Sequence, residues 1–98
     1  MRYDIALAPD AVVDLNRLKP NVRMETRAAI ERHLRNEPTK VSKRRIKRLR
    51  GVSRPQYRLR VGDDIRVFYD VAETRVEVLA IVSKAEANEW LERHGEKS

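Results

Sequence analysis

Cysteine is absent from the chain, and histidine occurs only as His33 and His94. Without cysteine, the protein can form neither a disulfide framework nor a Cys-ligated zinc site. The two histidines lie far apart in the sequence, so we expect no metal site and no other cofactor. His33 falls on a segment with helical spacing, where we expect a partly buried structural residue rather than a catalytic one.

Long apolar runs are missing as well. No segment approaches the roughly 20 apolar residues that a membrane-spanning helix requires, and residues 1–6 lack the apolar core of a signal peptide. We therefore expect a cytoplasmic protein with no membrane partner. A length of 98 residues, 41% of them hydrophobic and 38% charged, predicts a single domain over residues 1–98 with a thin core.

Acidic residues are lacking between Glu37 and Asp63, where ten lysines and arginines occur. The chain has 22 basic and 15 acidic residues, so removing those ten leaves 12 basic residues against 15 acidic ones. The whole positive excess therefore lies in this basic stretch. Such a charge distribution suits binding to a polyanion, most commonly nucleic acid.

The residues after Ser42 carry most of this charge. Residues 43–49 fit either a further helical turn or an ordered loop, and the pattern does not decide between them. A solvated loop that only keeps the protein soluble is the alternative to a binding function. The candidate nucleic-acid-binding residues are Lys43, Arg44, Arg45, Lys47, Arg48 and Arg50.

The pattern before the basic stretch predicts a strand followed by a helical hairpin. Residues 2–7 alternate apolar and polar side chains, as in a strand. A first helix begins at Pro9 and ends before Pro20. A second helix runs from residue 22 to about residue 36, with Asn21 as its N-cap. The apolar positions of the two helices are Val12, Leu15 and Leu18, then Ala29, Ile30 and Leu34.

Two later segments predict an antiparallel hairpin. Residues 57–61 and 65–71 alternate apolar and polar side chains on either side of a turn that begins at Gly62. If both apolar rows cover one core, Leu59 pairs with Val67, because a one-residue slip would turn every side chain to the other face.

This register also predicts a cluster of arginines on the other face of the hairpin. Arg60 lies opposite Arg66, and Arg58 lies opposite the aromatic Phe68. Like charges that face each other across two strands are destabilising, so the pair favours an anion between them. The alternative is that the long arginine stems splay into water at little cost.

The end of the chain predicts one more strand and a last helix. Residues 76–82 are almost continuously apolar, which is typical of an interior strand covered on both faces. Ser83 and Glu86 have the spacing of a capping box, so a helix is predicted from Lys84 to about His94. Its apolar side consists of Ala87, Trp90, Leu91 and His94.

Five pieces of the sequence occur together in a fixed order: the strand with its helical hairpin, then residues 47–51, 57–60, 65–70 and 78–84. This string resembles the RelE/ParE superfamily of bacterial toxins. The resemblance implies an α+β fold, in which a small antiparallel sheet of about four strands carries an N-terminal helical hairpin on one face and a C-terminal helix. It also implies a cognate antitoxin as partner, with operator DNA contacted only through the antitoxin.

Within this superfamily, RelE-like members cleave mRNA in the ribosomal A site and ParE-like members poison DNA gyrase. The basic residues of the RelE pattern correspond to Arg58, Arg60, Arg66 and Lys84, which are therefore the implied catalytic residues. The pattern also has an arginine after the lysine and a tyrosine in the last helix. Here the first position is Ala85 and the second is Leu91.

The implied function is metal-independent, ribosome-dependent cleavage of mRNA, with mRNA and ribosomal RNA as partners. Arginines would stabilise the charge on the reacting phosphate, and Lys84, Asp70 and Glu77 are candidates for proton transfer. Trp90 and Leu91 are candidates for binding the antitoxin, although core packing explains a tryptophan equally well. The alternatives are a gyrase poison without nuclease activity and an attenuated relic of a toxin.

Overall fold

The computed structural model describes residues 1–98 as ten elements of secondary structure. In chain order these are β1 (Asp4–Leu7), α1 (Pro9–Arg17), α2 (Pro20–Leu34), β2 (Ile46–Arg48), β3 (Val52–Arg54), β4 (Tyr57–Val61), β5 (Ile65–Ala72), β6 (Arg75–Ser83), α3 (Lys84–His94) and β7 (Glu96–Lys97). The main sheet has the strand order β1-β6-β5-β4-β2, and β3 and β7 form a separate ribbon. Only the β1–β6 pair is parallel. The predicted α+β fold is confirmed, with one strand more in the sheet than expected.

The hydrophobic core lies between one face of the main sheet and helices α1 and α2. Leu59, Val67 and Tyr69 point into this core and are fully buried. The predicted pairing of Leu59 with Val67 is confirmed, and with it the position of Arg60 opposite Arg66. The arginines therefore occupy the face of the sheet that is turned away from α1 and α2.

Helices α1 and α2 form the predicted hairpin, but two details of the prediction were wrong. Pro20 is the first residue of α2 and Lys19 occupies the N-cap position, so Asn21 is not the cap. A proline fits that first position because its missing N–H has no partner there in any case. In α1, Ala11 is buried whereas Val12 is 43% exposed. None of the three helices is long and apolar enough to cross a membrane.

The basic stretch contains a short strand, where the sequence left a helical turn or a loop open. Strand β2 pairs antiparallel with β4, so that Ile46 lies opposite Leu59 and is buried. Lys47 lies opposite Arg58 and adds a further cation to the arginine-bearing face. A strand of three residues with one buried apolar side chain is too short to show an alternating pattern in the sequence. Its position depends on pairing with β4.

Helix α3 lies against the arginine-bearing face and begins where the sequence predicts. The Glu86 N–H donates to Ser83 Oγ at 3.2 Å, and the Glu86 side chain accepts from the Ser83 N–H, which completes the capping box. The helix ends at His94, and Gly95 occupies the C-cap position, where a Cβ would lie only 2.5 Å from the backbone oxygen of Leu91. Strand β7 then pairs with β3, so the chain is held at both ends of α3.

Asp14 links helix α1 to strand β6 through one hydrogen bond. Its Oδ2 accepts from the backbone N–H of Ile81 at 3.0 Å. Ile81 lies beyond Val78, the last residue of β6 that pairs with β1. We expect Asp14→Ala to lower the free energy of unfolding by about 1–3 kcal/mol, because it leaves this part-buried donor without a partner. Urea denaturation measures the loss. Asp14→Asn keeps an oxygen acceptor and should recover most of it, whereas equal losses in both variants would show that the bond contributes little.

Candidate nucleic-acid interface

An open cleft of about 440 Å³ lies between helix α3 and the arginine-bearing face of the sheet. Phe68 contributes an aromatic wall to the cleft, and no acidic side chain lines it. A concave site lined by cations and an aromatic ring suits a phosphate with its attached nucleotide. Its basic lining residues are Lys47, Arg48, Arg50, Arg58, Arg66 and Lys84.

Two arginines of the cleft are removed from water without a carboxylate partner. Arg66 is only 6% exposed, and its Nη1 donates to the backbone oxygen of Ile65 at 3.0 Å. Arg58 is half-buried, and its Nε has no hydrogen-bond partner. Neither residue takes part in a salt bridge. Because burying an unpaired charge is costly, this arrangement favours a bound anion.

The electrostatic environment of the two arginines favours an anion as well. Burial lowers the pKa of Arg58, and the charges of Arg66 and Arg60 lower it further. Burial also lowers the pKa of Arg66; Arg60 adds to this effect, whereas Asp64 and Asp63 oppose it. An anion bound between these cations would favour their charged forms, since opposite charges at short range stabilise each other.

Arg60 belongs to the same face of the sheet but not to the cleft. Its Nη2 donates to Asp63 Oδ1 at 2.8 Å and its Nε donates to the backbone oxygen of Gly62 at 3.1 Å. Both contacts draw the side chain toward the loop between β4 and β5. Of the three arginines on this face, Arg58 and Arg66 line the cleft, and Arg60 lines two neighbouring cavities.

Lys84 and Asn88 are the polar residues that α3 contributes to the cleft. Lys84 is the first residue of α3, where the partial positive charge of the helix N-terminus adds to its own charge. Asn88 lies one turn later and lines the same cleft. The sequence prediction missed Asn88, although its spacing of four residues from Lys84 places the two side chains on one side of the helix.

The basic stretch forms a second cavity, of about 480 Å³, beside the cleft. Arg58 and Arg60 also line it. The Arg48 guanidinium lies over the ring of Tyr57, with 5.0 Å between its carbon and the ring centroid. Five of the six predicted nucleic-acid-binding residues line this cavity: Lys43, Arg44, Lys47, Arg48 and Arg50. The sixth, Arg45, is directed toward helix α2, with its Nη1 at 3.0 Å from Nε2 of His33.

The acidic candidates for proton transfer, Asp70 and Glu77, lie outside the cleft. Arg54 connects them, with its Nε at 3.2 Å from Asp70 Oδ2 and its Nη2 at 3.1 Å from Glu77 Oε1. The Gln56 N–H also donates to Asp70 Oδ1 at 2.7 Å. Burial raises the pKa of Asp70, and the Gln56 and Arg54 contacts oppose that rise. These contacts account for both carboxylates as structural partners of Arg54.

Comparison with known proteins gives matches among solved structures. No protein-family model and no curated protein matches the sequence. The RelBE2 toxin–antitoxin complex of Mycobacterium tuberculosis matches with a TM-score of 0.65 and 23% identity, over 86% of this chain and 100% of that chain. The RelB–RelE complex of Methanococcus jannaschii has a TM-score of 0.65 and 21% identity, over 86% and 95% of the two chains. The archaeal RelE–RelB complex of Pyrococcus horikoshii OT3 has a TM-score of 0.61 and 26% identity, over 86% and 97%.

The chain has the RelE fold. The resemblance that the sequence suggested is thereby confirmed at the level of the fold. The two positions at which this RelE-like chain departs from the RelE pattern lie on α3. Ala85 is exposed, and Leu91 lines the cleft with an apolar side chain where the pattern has a tyrosine.

Helix α3 of this RelE-like protein rests on the sheet through partial contacts. The ring of Trp90 stacks on Phe68, with 5.1 Å between the centroids and 11° between the planes. His94 lies on the same side, with its ring 5.1 Å from that of Trp90. Trp90 and Leu91 are each half-buried, and no residue of α3 is fully buried.

Proposed function

We propose that this RelE-like chain is the toxin of a type II toxin–antitoxin module and that it cleaves mRNA in a metal-independent, ribosome-dependent reaction. The observation that carries the proposal is a pair of arginines, Arg58 and Arg66, which face the cleft with Lys84 and lack a carboxylate partner. A phosphodiester fits both their charge and the forked donors of a guanidinium. The fold shared with chains of RelE–RelB complexes supports the toxin assignment.

In the proposed reaction, the 2′-oxygen of a ribose attacks the adjacent phosphorus, and the bond from phosphorus to the 5′-oxygen of the next nucleotide breaks. Negative charge develops on the non-bridging oxygens, where Arg58 and Arg66 stabilise it. The proton of the 2′-hydroxyl leaves, and the 5′-oxygen gains one. Lys84 is the candidate in the cleft for one of these transfers.

The cleft has few groups that could complete this proton transfer. No histidine or carboxylate lines it, and Leu91 offers no proton. The arginines of the cleft therefore match the charge of the phosphate. Lys84 can serve one of the two proton transfers, and the cleft offers no second residue for the other. This imbalance favours a reaction to which the ribosome contributes.

The remaining basic residues would bind ribosomal RNA. Lys43, Arg44 and Lys47 are exposed, line the second cavity and have no role in the core. Cations in such positions bind phosphates and set the orientation of a protein on RNA without reading its sequence. The basic stretch would thus hold the protein on the ribosome while the cleft receives the message.

The antitoxin would cover the apolar side of α3 and the cleft. Trp90 and Leu91 are only half-buried, so a partner helix can gain apolar contact there. Acidic residues of that partner would reach Arg58 and Arg66. Any contact with operator DNA would be made through the antitoxin.

Cell-free translation with the purified protein tests the proposal. We expect cuts at codon-register positions in the translated message, mapped by primer extension, and no cuts in the same message without ribosomes. An intact message together with inhibited gyrase supercoiling would contradict the proposal in favour of a ParE-like poison, which Ala85 favours. An intact message and active gyrase would indicate an attenuated relic.

A further inference from the structure

We infer that a pocket formed by His33, Arg45, Arg32 and Arg60 is a second phosphate-binding site, which holds the RNA backbone where it passes from the basic cavities onto helix α2. The pocket has a volume of about 210 Å³ and lies beside the loop between β4 and β5. The identity of the ligand rests on the proposed function. The pocket itself is separate from the cleft that holds Arg58 and Arg66.

The contact between Arg45 and His33 fixes one cation in this pocket. Arg45 Nη1 lies 3.0 Å from His33 Nε2, so the imidazole accepts the hydrogen bond and is neutral. Partial burial lowers the pKa of His33, and the charges of Arg45 and Arg32 lower it further. The neutral ring therefore orients the guanidinium without cancelling its charge.

The charge of the pocket is only partly neutralised within the protein. Neither Arg32 nor Arg45 takes part in a salt bridge. Glu25 is the only acidic residue of the pocket, and its carboxylate lies beside Gly62, 3.7 Å from the position that a Cβ would occupy there. Arg60 is paired with Asp63. The unpaired Arg32 and Arg45 against one glutamate still leave a positive site, for which a phosphate is the matching ligand.

The size of the pocket supports a phosphate rather than a whole nucleotide. Its volume of about 210 Å³ is below the roughly 300 Å³ at which sites for small organic ligands begin. A group with four oxygens and no ring system fits such a space. The base and sugar of the same nucleotide would remain outside it.

The position of the pocket connects it to the basic cavities. Arg58 lines both the cleft and the second cavity, and Arg60 lines both the second cavity and this pocket. The two arginines are two residues apart on β4, or about 7 Å along the strand. A single strand that leaves the cleft would thus pass Arg58 and then Arg60 on its way to Arg45.

The salt dependence of RNA binding tests the pocket. The probe is a fluorescein-labelled, single-stranded 2′-O-methyl RNA, which cannot be cleaved because its 2′-oxygen is blocked. We expect Arg45→Ala to weaken binding and to reduce the slope of log K against log salt by about 0.7, the value for one phosphate contact on a single strand. Arg27→Ala is the matched control, because Arg27 lies on the same helix α2 but lines a groove near β1, and its slope should equal that of the native chain.

Two further measurements distinguish RNA from a free anion. A trinucleotide of the same chemistry should bind the native chain and Arg45→Ala equally, because it is too short to reach beyond the cleft. Inorganic phosphate should compete weakly with the long RNA. The inference would be overturned if the slope of log K against log salt were equal for the native chain and Arg45→Ala. It would also be overturned if inorganic phosphate displaced the RNA from the native chain but not from Arg45→Ala.

The result is independent of the test of the proposed function. The RNA-binding measurement uses a strand that cannot be cut and contains no ribosome. If translation shows no cuts but the slope depends on Arg45, the nuclease proposal fails and the phosphate pocket stands. If the message is cut in codon register but the slope does not depend on Arg45, the nuclease stands and the pocket fails.

Discussion

Arg66→Ala and Arg58→Ala are each expected to slow the cleavage of mRNA by about 100- to 1,000-fold, the usual effect of removing one preorganised donor from a developing charge. The thermal midpoint should stay the same or rise, because each substitution removes a poorly hydrated charge and its repulsion of the other arginines. Primer extension after cell-free translation measures the rate. Thermal unfolding followed by circular dichroism measures the midpoint.

Three further variants make this prediction specific to the cleft. Arg75→Ala removes an exposed arginine at the start of β6, outside every basic cavity described above, and should cleave at the native rate. Arg66→Lys keeps the charge but loses the forked donors, so its rate should lie between those of the native chain and Arg66→Ala. Arg60→Ala should have a smaller effect than Arg66→Ala, because its side chain lies outside the cleft. Native rates in both Arg58→Ala and Arg66→Ala would mean that the cleft is not the catalytic site.

Phe68→Ala is expected to lower the free energy of unfolding by about 3–5 kcal/mol, the usual cost of truncating a buried aromatic side chain. Phe68 is 1% exposed and lies between the sheet and α3. Trp90→Ala should cost roughly 1–2 kcal/mol, because a half-buried ring loses less apolar burial than a fully buried one. Urea denaturation of the two variants under identical conditions measures both values.

The comparison of these two variants also decides the role of Trp90. A small loss of stability in Trp90→Ala together with lost binding of the cognate antitoxin, measured by calorimetry, would identify an interface tryptophan. A loss as large as that of Phe68→Ala would identify a core residue, and the proposal that the antitoxin covers Trp90 would then be wrong. Glu92→Ala is a suitable control, because Glu92 is an exposed residue of the same helix.

The hairpin of β4 and β5 could be predicted pair by pair from the sequence. Every second residue of both strands is apolar and only three residues separate the strands, so a single register buries Leu59 and Val67 together. Helix α3 could be predicted for a similar reason, since Ser83 and Glu86 carry a local signal that needs no distant partner. In both cases the residues that decide the structure are close together in the chain.

The parts that could not be predicted depend on contacts that a local pattern does not contain. Strand β2 exists because Ile46 meets Leu59 across the sheet, and its own sequence has no strand periodicity. Alternation placed Arg60 on the correct face, but the direction of its side chain is set by Asp63. The contact of Arg45 with His33 joins residues on separate elements, so the charge count alone could not predict that Arg45 lies apart from the other five basic candidates.

The position of strand β6 determines when during synthesis the protein acquires its cleft. β6 lies between β1 and β5 in the main sheet, yet it is the last strand of that sheet along the chain. Asp4 has no pairing partner until Arg75 has been made, and contacts of such large sequence separation form late in folding. A ribosome that translates this message therefore carries a nascent chain with an incomplete sheet, in which Arg66 and Phe68 are not yet covered by α3. The chain can form the cleft only after α3 has been synthesised and has packed on the sheet.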